Sequence, residues 1–201
     1  MRVLVYDKTC VRSGNRLSIA WTAGSGLYRA LGRIDASHGV ASWGEALAWL
    51  ATIDQPIEEL QYWGHGKWGG ALVDDELLDV RSLGRDHQHR AGLDVLRGKL
   101  APDALIWFRT CETFGARAGI TFAEQLADFL GARVAGHTYV IAFQQSGLHG
   151  LAPGTRADWS PEEGLVEGTP EHPRRARWSH RSAPHTITAL SGRIPVEWFA
   201  R

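Results

Sequence analysis

Two cysteines, Cys10 and Cys111, are too few to staple a chain of 201 residues, which excludes a disulfide scaffold. Neither charge sign is in surplus: Lys plus Arg and Asp plus Glu are 22 each, for a formal net charge of zero. A global attraction for nucleic acid or an anionic membrane is thereby excluded, and nucleic acid is not an expected partner. No apolar run approaches the roughly 20 residues that cross a bilayer. Met1 to Asp7 hold no apolar core of signal-peptide length, so a soluble cytoplasmic protein is expected. Gly24-Ser25-Gly26 lacks the rest of a nucleotide-binding fingerprint, and Gln144-Gln145-Ser146-Gly147 is not a serine nucleophile elbow. Asp74-Asp75-Glu76 lacks the spaced oxygens of a calcium loop, and His87-Gln88-His89 has no further ligand at metal spacing. These read as a charged turn and a solvated helix start, and neither a cofactor nor a metal is expected. The sequence contains no internal repeat.

What is present is globular composition, 44% hydrophobic and 22% charged, with nine tryptophans that read as core and surface aromatics. Short β-type runs alternate with segments of helical period, which predicts an α/β fold with a mainly parallel sheet. Strands are expected at Val3–Tyr6, Val40–Ala41, Leu60–Trp63, Ala104–Phe108 and Val134–Phe143. The run at 104–108 is apolar without alternation, as in a central strand covered on both faces. Helices are expected to open at Gly24–Gly26, at Ser42 with Glu45 in capping-box spacing, around Leu93–Arg97, and at Thr121 with Gly131 closing. A hairpin is expected over Gly69–Val80. After Gly147 helical periodicity is gone and most of the eight prolines follow. We therefore divide the chain into an α/β domain, 1–147, and an irregular C-terminal arm, 148–201, packing on it. The arm has one strand-like piece at Thr186–Leu190 and an arginine patch, Arg174 to Arg181, read as a solvated arm or docking surface.

Two residues point to chemistry together. His65 follows one predicted parallel strand between Gly64 and Gly66, and Cys111 follows the most buried-looking strand. Ligands of open α/β sheets bind outside the carboxyl ends of the strands, so on neighbouring strands these side chains would meet at one rim. An imidazole beside a thiol supplies the base that makes a thiolate. The amides of Gly66 and Cys111 could hold an oxyanion, glycine permitting close approach. Cys10 has no comparable context and reads as structural. Glu112, one residue past Cys111, is expected to point away from it.

Strand, Gly64-His65-Gly66, then Phe108-Arg109-Thr110-Cys111 at a His-to-Cys separation of 46, resembles the caspase-like cysteine peptidases. The likeness is greatest to a bacterial caspase-like domain of unknown function, and it extends through Phe122-Ala123-Glu124-Gln125-Leu126-Ala127 and Leu130-Gly131-Ala132-Arg133-Val134-Ala135. It implies His65 as general base and acid, Cys111 as nucleophile, Gly66 with the Cys111 amide as oxyanion hole, and a polypeptide substrate. The resemblance also leaves room for an activating protein partner of this chain. Caspases carry Gln-Ala-Cys where this chain has Arg109-Thr110-Cys111, so caspase specificity does not transfer. Arg109, two residues before Cys111, falls on its side of the strand and would attract an acidic substrate side chain at P1. Arg12 and Arg16, in the loop after the first strand, are alternative contributors to that pocket. Asp7 stands where some relatives support the catalytic histidine. The competing reading is a catalytically inactive caspase-like module that binds a protein partner.

Overall fold

The computed structural model describes residues 1–10 and 16–200. In chain order the elements begin β1 (Arg2–Asp7), α1 (Leu17–Ala30), β2 (Ala36–Val40), α2 (Trp43–Ala51) and β3 (Ile57–Trp63). A small antiparallel meander follows, β4 (His65–Lys67), β5 (Gly70–Val73) and β6 (Glu76–Asp79), then α3 (Arg90–Lys99), β7 (Leu100–Arg109), α4 (Ala116–Leu130) and β8 (Arg133–His137). Short strands complete the chain: β9 (Gln144–Gln145), β10 (Leu148–Leu151), β11 (Leu165–Gly168), β12 (Pro173–Ala176) and β13 (Ile187–Thr188). The fold is α/β. Its six-stranded sheet has the order β10-β8-β7-β3-β1-β2, parallel except for β10 against β8.

Strand alternation sorts the core onto two faces. Val3, Val5, Leu60, Tyr62, Ile106, Phe108 and Val134 join the apolar residues of α2, α3 and α4 in one cluster. Leu4 and Trp63 turn the other way, onto Tyr28 of α1. Trp107, Ala135 and Leu148 also face that second side, but what covers them is Ile187 with Ile194 and Trp198. The C-terminal segment thus does the work of a missing helix, burying the half of the second face that α1 does not reach.

Ser42 caps α2 as expected, its Oγ accepting from the Glu45 amide at 2.9 Å while Glu45 accepts from the amide of Ala41. Gly131 closes α4 in the left-handed region at φ 63°. Several expected boundaries shift. Gly24–Gly26 lie inside α1, and Thr121 lies inside α4, which starts at Ala116 after Gly115. The strand expected to reach Phe143 stops at His137, because the Thr138 amide donates to the Gly147 carbonyl and turns the chain back. Residues 148–151, assigned to the arm, are an edge strand of the main sheet. His89 is buried against Glu76, not solvated.

His137 closes β8 in full burial; its Nδ1–H donates to the Ser146 carbonyl at 3.0 Å and its Nε2 has no partner. Burial pushes this imidazole down to about 3, so the folded protein holds it neutral while the unfolded chain protonates near pH 6.5. Its stabilisation is complete above about pH 6.5 and is lost at about 1.4 kcal/mol per pH unit as pH falls toward 3. His89 and His185, also lowered by burial, act in the same direction. Urea unfolding at pH 7, 6, 5 and 4 should show this slope, and His137→Gln should remove about one proton's share. Identical slopes in the two proteins would rule out a neutral buried His137.

Candidate active site

The site is built at the carboxyl ends of β3 and β7, which are parallel neighbours with Trp63 opposite Arg109. His65 and Cys111 each lie two residues beyond that pair, so the shared rim expected from the sequence is present. Both side chains line one cavity of about 450 Å³, together with Arg109, Trp63 and residues of α1.

After β3 the chain turns at Gly64 into β4, so His65 is carried by the meander and not by the main sheet. Its ring stands edge-on to Trp21 of α1 at 5.5 Å. Lys67 pairs with Gly70 across the two-residue turn. By the alternation of antiparallel ladders, the amide of Gly66 then points away from β5, unclaimed by the hairpin. Gly66 also packs directly on the loop after β7. A Cβ there would lie 2.5 Å from the Cys111 carbonyl oxygen and would strike Thr113, so only glycine fits.

That loop is pinned from several sides. Thr110 and Thr113 share a hydroxyl bond of 2.5 Å, the Gly69 amide donates to the Thr113 carbonyl, and the Glu112 amide donates to that of Tyr139. Glu112 adopts φ 43°, which overrides strand alternation and turns its carboxylate inward, contrary to expectation. One of its oxygens meets Lys67 Nζ at 3.1 Å and the other, Oε2, has no partner. Burial pushes the Cys111 thiol up, and the Glu112 charge adds to the rise against the opposing effects of a backbone hydrogen bond with Ile141 and of the Lys67 charge. A rise in that direction favours the protonated Cys111 thiol near neutral pH. Its alkylation by dilute iodoacetamide should rise with pH around a midpoint above the usual roughly 8.5 of a free thiol. Fast labelling at pH 6, read by mass spectrometry, would contradict this.

Nε2 of His65 lies 3.1 Å from Sγ of Cys10, not against Cys111. Cys10, read as structural, is thus part of the site. The signal available was that β1 adjoins β3, so the loop after β1 opens on the same rim. Neither cysteine is in a disulfide. Asp7 is buried at the end of β1, but its Oδ1 accepts from the Thr9 amide and hydroxyl at 2.7 and 2.6 Å. It builds the turn leading to Cys10 and does not support His65 directly. Arg16 sits exposed at the entry to α1 and is not among the residues lining the cavity; Arg12 lies outside the described residues.

Arg109 lines the cavity beside Cys111, as alternation requires, but not as an open fork. Its Nε and Nη2 donate to Gln145 Oε1 at 3.0 and 2.8 Å, and Nη2 also reaches the Thr188 and Ala189 carbonyls at 3.2 and 3.1 Å. Nη1 donates to the Tyr28 hydroxyl at 2.5 Å and the Ser191 carbonyl at 3.2 Å. The five guanidinium hydrogens are spent on protein groups. Among the described residues no three-residue His, Cys, Asp or Glu cluster could hold a metal ion, and no helix is long and apolar enough to cross a membrane. No protein-family model matches this chain, and no curated protein or solved structure matches it.

Proposed function

We propose that the chain is a cysteine endopeptidase acting on a polypeptide, with Cys111 as nucleophile and His65 as general base and acid. The observation that carries this reading is the register: the two residues stand at equal distance beyond a paired Trp63 and Arg109 and open on one cavity. The His65 ring rotates from Cys10 toward Cys111 when a peptide enters, and takes the Sγ proton. The sulfur bonds to the scissile carbonyl carbon, and the resulting oxyanion rests on the amides of Gly66 and Cys111. His65 returns the proton to the leaving amine as the C–N bond breaks. Water, deprotonated by His65, then hydrolyses the thioester and restores the thiol. Both thiols must stay reduced, which fits a cytoplasmic location.

A second reading, a catalytically inactive module that binds a protein partner, draws support from the raised Cys111 thiol and from the His65–Cys10 contact. Incubating the reduced protein with a peptide library at pH 6–9 and sequencing the new termini separates the two. The peptidase reading expects new termini at one class of bond; none at any pH would leave the binding module.

A further inference from the structure

We propose that the cavity beside Cys111 and His65 receives a large apolar side chain of the polypeptide, and that Arg109 is a positioning residue for the cavity wall, not a receptor for a carboxylate. The proposal rests on the peptidase reading for its catalytic consequence.

Three apolar surfaces enclose the space. Leu17, Trp21, Gly24 and Leu27 recur on one side of α1, Ile141 to Phe143 face them from the loop after β8, and Leu190 closes the mouth. Leu27, Phe143 and Leu190 remain 45%, 58% and 47% exposed although nothing polar requires it. Large apolar side chains left in water around one cavity mouth mark a place where something apolar binds. A volume of about 450 Å³ lies within the range of ligand sites.

Arg109 excludes both charged alternatives. Its positive charge, buried beneath the cavity, repels a lysine or arginine side chain. A carboxylate would have to break bonds to Gln145, Tyr28 or the 188–191 carbonyls, leaving buried acceptors unpaired. The ring faces of Trp107, Trp63 and Tyr28, at 4.5, 5.4 and 5.5 Å, further stabilise the cation without an anion. The same hydrogen bonds hold Ala189 and Leu190 in the wall, with Arg33 donating to the Leu190 carbonyl.

Four reporter peptides identical except for Phe, Leu, Asp or Lys before the scissile bond test this. Phe or Leu should be cleaved about tenfold or more faster than Asp or Lys, the range a hydrophobic pocket supplies. Leu27→Asp and Phe143→Asp, both at exposed positions, should remove that preference. A parallel saturation-transfer NMR experiment on Cys111→Ala protein uses N-acetylphenylalaninamide and the corresponding aspartate amide. The phenylalanine probe should receive saturation, and should lose it when Leu27→Asp is added. Preferred cleavage of the aspartate reporter overturns the proposal and leaves the peptidase reading standing, and preferred saturation of the aspartate amide overturns the proposal alone. Saturation of the phenylalanine probe without cleavage of any reporter does the reverse. Neither binding nor cleavage overturns both.

Discussion

Cys111→Ala is expected to lower kcat/KM on a cleaved peptide by roughly a thousandfold or more, and His65→Ala by a comparable factor. The two act as one unit, so the double variant should be no worse than the poorer single. Cys10→Ala is the informative control. Its sulfur touches the His65 ring, but Cys10 is not among the residues lining the cavity. It holds the imidazole in its resting position, and its removal should change kcat/KM by less than about tenfold. Kinetics on one reporter with the four proteins, each checked for its unfolding transition, suffice. If Cys10→Ala abolished turnover and Cys111→Ala did not, the nucleophile would be Cys10 and the mechanism above would be wrong.

Arg109→Met should cost about 3–5 kcal/mol of folding stability, the loss expected when one side of a buried charged network is removed. The replacement takes from the buried Gln145 Oε1 both of its guanidinium donors and from the Thr188 carbonyl its own, while the Ala189 and Ser191 carbonyls keep only the Tyr28 hydroxyl. Lysine would not rescue it, since a single ammonium cannot span acceptors on α1, β9 and the C-terminal segment at once. Gln145→Leu removes one acceptor and should cost about 1–3 kcal/mol. Urea titrations measure both. Limited proteolysis adds a local readout, because 187–191 should become cleavable in Arg109→Met before the rest of the chain. A loss under about 1 kcal/mol would show that the guanidinium does not tie this segment down.

The parts of the fold that could be read from the sequence are those set by local pattern. The apolar runs of β1 and β7, the Ser42–Glu45 cap and the Gly131 stop each act within a few residues, and each was in place. The rim rule brought His65 and Cys111 to one cavity because it depends only on strand direction and neighbourhood. What could not be read depends on distant partners. Arg109 looked like an available fork because its acceptors lie 36 to 82 positions away, on α1, β9 and the C-terminal segment. Cys10 reaches His65 across 55 positions through the path of a loop. Glu112 defeated the alternation rule through a single positive φ, and no strand pattern announces that. The arm was expected to pack on the domain, but the residues that do so were not legible for the same reason: Ile187, Ile194 and Trp198 are scattered among prolines and glycines, yet meet on Trp107.

The tie between Arg109 and Ser191, 82 positions apart, also fixes an order of events during synthesis. A ribosome delivers His65 and Cys111 long before the residues that wall their cavity. A nascent chain therefore carries His65 and Cys111 without the Ala189–Leu190 wall, and a chain that stalls before Ile187 exposes Trp107 and Leu148 instead of burying them. Whatever chemistry needs the finished cavity is withheld from a chain that has not yet delivered residues 189–191.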